Sequence, residues 1–249
     1  MSLRTAFDTP HAKRRHVRRL FATIADRYDL ITAVLSYGLD ARWKARLVRE
    51  SLAGRHDRAL DVACGTGDIA YAVAARGAHT VGLDLTPRMI ELAGRKQRRE
   101  QREGPSPSPG STPSRVAFLV GDMTTLPFAT HSFDLVTTGY GLRNVPDLAV
   151  AIDEIARVLR PRGRLLSLDF NRPRSALVRA AYLAYLTIVG SALGWVLHRD
   201  QDTYRYIPES IKRYPGADGV AALLRAAGFT SVRVVPLLGG LMSLHIARR

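Results

Sequence analysis

Ala59-Leu60-Asp61-Val62-Ala63-Cys64-Gly65-Thr66-Gly67-Asp68-Ile69-Ala70 is the stretch that decides the reading of this chain. A short apolar run meets two glycines one residue apart and then resumes a helical pattern, which predicts strand, tight turn and helix. This is the first βα turn of a nucleotide-binding sheet. Gly65 and Gly67 permit backbone angles closed to other residues, and they leave amide groups at the helix start facing a ligand. The spacing Gly65-x-Gly67-x-x-Ala70 also suits a dinucleotide loop, so the turn alone does not choose the cofactor.

The following strands narrow the choice. His79 to Asp84 is rich in β-formers and ends in an acid, about 20 residues beyond the glycines, where a carboxylate accepts hydrogen bonds from ribose hydroxyls. Leu85 follows it. Val116 to Val120 predicts a third strand ending in Gly121-Asp122-Met123, an acceptor for an adenine amine beside a pliable apolar thioether for the adenine face. A fourth strand, Phe133 to Thr138, delivers Gly139-Tyr140-Gly141-Leu142-Arg143-Asn144 to the same sheet edge.

With 249 residues, 46% of them hydrophobic, the chain is read as one α/β domain with helical additions. A single cysteine excludes an internal disulfide and favours a reducing compartment. The seven histidines show no metal-binding spacing, so no metal is expected. A net charge of +15 implies an anionic neighbour, either nucleic acid or a membrane surface, or else an ordinary solvated surface. The N-terminus lacks the basic, apolar and small-residue order of a signal peptide, so export is not expected.

Residues 1–16 read as a loose basic tail, and 17–249 as a single domain. Val17, Leu20, Phe21 and Ile24 predict a helix over 17–27, and Trp43, Leu47 and Val48 a second over 40–52 with Asp40 as its cap. These two are read as a lid over cofactor and substrate or as a layer packed on the sheet. Thr86-Pro87 starts another helix. Residues 104–114, rich in proline, serine and glycine, read as a flexible insertion. A fifth strand is expected over Arg164–Phe170, then a helical annex over 174–212, then an antiparallel pair of late strands, Ser231–Val235 and Leu241–Ala247. Within the annex, 176–197 is nearly all apolar and uncharged beyond Arg179. Its readings are a buried helix, a wall for a long hydrocarbon, or a membrane-facing surface.

Taken together, Phe21 to Asp29, Leu60 to Asp68, Leu126-Pro127-Phe128, Gly141-Leu142-Arg143-Asn144-Val145, Val158 to Pro161 and Asp202 to Ile211 resemble the ubiquinone/menaquinone biosynthesis C-methyltransferases, a class I family dependent on S-adenosylmethionine. The resemblance implies a Rossmann-like, mostly parallel seven-stranded sheet with an antiparallel last strand. It places S-adenosylmethionine on Thr66, Asp84, Asp122 and Met123. Gly65, Gly67 and Leu85 are expected around them, and Asp61 or a nearby backbone carbonyl is expected to meet the methionyl part. Arg143 and Asn144 are expected to grip and polarise a quinol oxygen, with Tyr28 and Tyr204 completing the pocket. The implied acceptor is a polyprenyl quinol, methylated on the cytoplasmic side of a membrane by a peripherally bound enzyme. No nucleic-acid partner is expected, and a homodimer is left open. A basic RNA methyltransferase, another small-molecule methyltransferase and a nicotinamide dehydrogenase are the competing readings. Thr32, where the family has an asparagine, and Cys64, where a glycine is common, depart from the pattern.

Overall fold

In the computed structural model, residues 6–103, 116–200 and 203–249 are described. The expected insertion at 104–114 therefore lies outside the described residues, as do residues 1–5 and Asp202. In chain order the elements are α1 (Pro10–Ile24), α2 (Tyr28–Leu35), α3 (Asp40–Glu50), β1 (Arg58–Val62), α4 (Asp68–Ala74), β2 (His79–Asp84), α5 (Pro87–Glu103), β3 (Val116–Val120), β4 (Phe133–Gly139), α6 (Leu148–Val158), β5 (Leu159–Phe170), α7 (Ala176–His198), α8 (Tyr206–Arg213), α9 (Gly216–Ala226), β6 (Ser231–Leu237) and β7 (Met242–Arg248).

One seven-stranded sheet takes the order β3-β2-β1-β4-β5-β7-β6. The first five of these strands pair in parallel, while β7 runs antiparallel to both β5 and β6. The strand order reverses between β1 and β4, so the crevice at their carboxyl ends is where an open α/β sheet binds ligands. Apolar residues cover both faces. Ile24, Ile31, Trp43, Leu47 and Leu186 pack with Leu135 and Leu166 on one side, and Leu60, Val62, Ile152, Ile155, Val220 and Leu224 form the other core.

Two expectations are corrected. The basic stretch before Val17 is not a loose tail: α1 begins at Pro10, with the Thr9 side chain accepting from Ala12 N at 3.1 Å and proline at the first helical position. The helix expected over 17–27 also ends at Ile24, where a short 3₁₀ turn over Ala25–Arg27 leads into α2. Second, the apolar segment is a continuous helix, α7, but not a buried one. Tyr182, Leu186, Gly190 and Gly194 face the protein, whereas Leu177 is 81%, Ile188 69% and Trp195 55% exposed.

Candidate active site

The β1 to α4 turn is built from left-handed residues: Ala63, Gly65 and Gly67 all have positive φ, at 52°, 55° and 88°. Gly67 is required by space as well, since a Cβ there would lie 2.9 Å from both Phe118 and Tyr71. The turn brings the Gly65 amide 3.0 Å from Asp84 Oδ2, while Asp84 Oδ1 accepts from the Thr86 amide at 2.8 Å. Burial pushes the Asp84 carboxyl above the ordinary carboxylate range, against the pull of these two amides. At the end of β3, Asp122 Oδ1 accepts from the amide and hydroxyl of Thr124, at 2.8 and 2.7 Å. Its Oδ2 makes no hydrogen bond among the described residues, although Arg14 Nε of α1 stands 2.9 Å away as an ionic neighbour.

These residues border a solvent-open cavity, about 660 Å³ with the solvent at its mouth included, lined by Gly65, Asp84, Leu85, Asp122, Met123, Gly141 and Asn144. Arg14, Val17 and Phe21 of α1 cover it, so the segment read as a tail contributes side chains to the site. Their signal was present in the sequence: Thr9-Pro10 is the same helix-start pattern as Thr86-Pro87.

A second cavity, about 570 Å³ on the same measure, lies beside the first and is lined mainly by apolar side chains, including Leu20, Ile24, Ile31, Leu35, Phe170 and Ile207. Phe21, Tyr28, Tyr140 and Asn144 belong to both cavities. Arg143 and Tyr204 line only the second. Thus Tyr28, Arg143, Asn144 and Tyr204 come together, and Asn144 and Tyr28 stand where the two spaces meet.

Other expected residues stand elsewhere. Thr66 and Asp61 line neither cavity. Asp61 instead faces a small recess beneath the turn, with Thr66, Lys44 and Asp68. Thr66 Oγ1 donates to Asp29 Oδ1 at 2.8 Å. Gly67 shapes the turn but reaches no cavity wall. Asp61 Oδ1 accepts from Thr137 Oγ1 at 2.8 Å, whereas its buried Oδ2 has no hydrogen-bond partner among the described residues. Desolvation raises its pKa to about 7, with Thr137 and the Ala70 amide opposing. Sequence spacing did not reveal Lys44, which is held between Asp40 Oδ2 at 2.6 Å and Asp68 Oδ2 at 2.9 Å. It did not reveal Tyr140 either, whose hydroxyl donates to Asp40 Oδ1 at 2.6 Å.

Arg143 is fixed rather than free. Its Nε donates to Asp169 Oδ1 at 3.3 Å, its backbone amide to Asp169 Oδ2 at 3.1 Å, and its Nη1 to Ser210 Oγ. The guanidinium carbon lies 4.8 Å from the centre of the Phe170 ring. Nη2 makes no hydrogen bond among the described residues, leaving its two N–H groups for the cavity. Asn144 Nδ2 donates to the Tyr140 carbonyl at 2.8 Å, which fixes the amide and leaves the buried Oδ1 without a donor.

The larger cavity fits an adenosyl cofactor. Asp84 and Asp122 supply carboxylate acceptors at adjoining strand ends, the Asp122 Oδ2 facing Arg14 at 2.9 Å, Leu85 and Met123 supply apolar walls, and the Asp61 Oδ2, without a hydrogen-bond partner among the described residues, suits an ammonium at the recess.

Comparison with known proteins agrees with this geometry. A SAM-dependent methyltransferase from Thermotoga maritima, a possible histamine N-methyltransferase, shares the fold with a TM-score of 0.61 at 17% identity, covering 93% of this chain and 99% of its own. A demethylmenaquinone methyltransferase of Thermus thermophilus is 38% identical over 232 residues, 92% of this chain and the whole of that protein. The ubiquinone/menaquinone biosynthesis C-methyltransferase UbiE of Dinoroseobacter shibae is also 38% identical, over 92% of this chain and 88% of its own length. The model of the ubiE/COQ5 methyltransferase family matches residues 9–249. The chain belongs to the ubiE/COQ5 methyltransferase family and is a methyltransferase that uses S-adenosylmethionine.

Proposed function

We propose that this enzyme methylates a ring carbon of a demethylated polyprenyl quinol, a demethylmenaquinol or related benzoquinol, in isoprenoid quinone biosynthesis. The observation that carries the reading is the wall of Phe21, Tyr28, Tyr140 and Asn144 common to a carboxylate-edged cavity and an apolar one. Two such compartments suit a polar donor and a greasy acceptor meeting at one point. Names of the relatives from Thermus and Dinoroseobacter support quinone-ring methylation.

When bound, S-adenosylmethionine supplies an electrophilic methyl group on a sulfonium. The protein's part is placement and polarisation. Asp84 is assigned the ribose hydroxyls, Asp122 the adenine amine, Leu85 and Met123 the adenine faces, and Asp61 the methionyl ammonium. Gly65 opens the approach, while Thr66 and Gly67 hold the turn. Asn144 Oδ1, buried and without a donor, accepts a hydrogen bond from a quinol hydroxyl and so pushes electron density onto the neighbouring ring carbon. Arg143 Nη2 is suited to hold the same or the opposite ring oxygen, its plane set by Asp169 and Ser210. Tyr204, with its hydroxyl 2.9 Å from His198 Nε2, and Tyr28 close the berth.

In the same reading, residues 174–212 form a substrate-side annex, and the enzyme works in the cytoplasm as a peripheral membrane protein, drawn by its charge of +15 to anionic lipid. Incubation with methyl-labelled S-adenosylmethionine and a panel of demethylated quinols, followed by mass spectrometry, tests the function. The expected product carries one added methyl on a ring carbon. Tight S-adenosylhomocysteine binding with no transfer to any quinol, or transfer to RNA, overturns the reading.

A further inference from the structure

Five turns of α7 present to solvent a stripe with no polar side chain: Leu177, Ala181, Ala184, Ile188, Ala192 and Trp195, spaced by three and four residues, are all exposed. A helix with one apolar side against a soluble core normally turns charged or polar residues outward. Here the opposite side is apolar too. The neighbouring α2 and the turn after it repeat the pattern, with Leu30, Ala33, Val34 and Tyr37 exposed while Ile31 and Leu35 face inward to line the apolar cavity. Stacking of Tyr37 on Tyr185, with ring centres 5.0 Å apart, joins the two helices. The exposed stripes thus form one platform, separated from the apolar cavity by the thickness of α2.

Arginines stand at both ends of this platform. Before α7 are Arg172 and Arg174, both exposed, and Arg179 follows in its first turn. At the far end the Arg199 guanidinium lies 5.9 Å from the Trp195 ring centre, and Arg27 donates to the Leu197 carbonyl. Acids in the neighbourhood are engaged: Asp218 pairs with Arg174 at 2.6 Å and Asp26 with Arg88, while Asp29 accepts from the Thr66 hydroxyl and Asp200 from the Thr203 hydroxyl. An apolar strip ended by arginines, with an indole beside one of them, matches the layering of a lipid surface, where acyl chains lie beneath anionic headgroups.

We infer that the outward faces of α2 and α7 form the surface by which the enzyme lies on an anionic bilayer, with the apolar stripe at the acyl boundary and the flanking arginines among the headgroups. The inference rests on the proposed quinol substrate for its purpose, since a polyprenyl tail resides in the bilayer, but its test is separate. Over a protein interface the same stripe would need a partner of matching shape. A bilayer needs none, and it alone answers both the apolar strip and the cationic ends.

Sedimentation of the full chain with vesicles of phosphatidylglycerol and phosphatidylcholine, with Trp195 emission as a second readout, tests the surface. Trp43, the other tryptophan, is buried in the core and serves as a constant background. The wild type is expected to pellet with anionic vesicles, less so at high salt, and to shift its emission to the blue. Ile188→Glu combined with Trp195→Glu is expected to lower vesicle affinity by about tenfold or more, with transfer to a short-tailed, water-soluble quinol unchanged. A wild type that stays in the supernatant, a double variant that binds as tightly as the wild type, or a dimer abolished by the same substitutions in a protein that ignores vesicles overturns the inference. Vesicle binding by a protein that methylates no quinol leaves this surface standing and removes the proposed substrate instead.

Discussion

Asp169 holds Arg143 at two points, one carboxylate oxygen 3.1 Å from the backbone amide and the other 3.3 Å from Nε, with both side chains buried. A guanidinium so anchored serves as an oriented donor and not as a proton acceptor. Arg143→Ala strands a buried carboxylate and is expected to destabilise the fold by about 3–5 kcal/mol, as well as to depress turnover. Asp169→Asn keeps the shape and one acceptor, so it is expected to unfold at lower denaturant than wild type but later than Arg143→Ala. Urea titrations of the three proteins check the order; equal stability of all three would contradict it.

Asp84 supplies acceptors to the Gly65 and Thr86 amides and borders the larger cavity. Asp84→Asn keeps the volume, loses the charge and turns a carboxamide NH2 donor toward a backbone N–H. S-adenosylhomocysteine affinity is expected to fall about 10- to 100-fold, read by calorimetry, with the far-ultraviolet dichroism unchanged. Retained affinity would remove the ribose role.

At Asp61, burial raises the folded-state pKa from the ordinary 3.8 to about 7. The folded protein therefore binds this proton more tightly than the unfolded chain, and the stability tied to it is lost as pH climbs from about 4 to about 7. Asp61→Asn is expected to flatten that fall and to raise Tm relative to wild type at pH 8. Thermal unfolding from pH 5 to 8 without cofactor checks it, and parallel curves for the two proteins would contradict it. A bound ammonium favours the ionised carboxylate, so cofactor should stabilise the wild type more at pH 8 than at pH 5.

Gly141 has an ordinary backbone conformation, and its constraint is space. A Cβ there would collide with Thr138 Oγ1 and lie 2.8 Å from the Ala63 Cβ. Gly141→Ala must push apart the β1 turn and the end of β4, at a cost of about 1–3 kcal/mol. Since Gly141 also lines the cavity proposed for the cofactor, both Tm and S-adenosylhomocysteine affinity are expected to drop. An unchanged Tm would show that the loop accommodates the methyl group.

Much of this architecture was legible because its signals are local. The glycine turn after Val62, the acids ending β2 and β3, and the late hairpin all announce themselves within a few residues. What escaped is long-range or ambiguous in kind. Asp169 and Ser210 lie 26 and 67 residues from Arg143, and no spacing rule connects them. Lys13, Arg14 and Arg15 resemble a solvated tail by composition, yet Lys13 Nζ reaches the Arg143 carbonyl at 3.2 Å and Arg14 meets Asp122. Burial, with the charges of Arg143 and Arg213, lowers the Lys13 pKa to about 8. In α7 the apolar residues run all round the helix, so periodicity could not say which side was covered.

The wall shared by the two cavities divides the freedom of the molecule to change. Enlarging or trimming Phe21, Tyr28, Tyr140 or Asn144 alters both compartments at once. Ile31, Leu35 and Ile207 border only the apolar side. If the apolar cavity holds the ring, as proposed, descendants of this scaffold can acquire a taste for a different ring through those three positions while the other compartment is inherited intact.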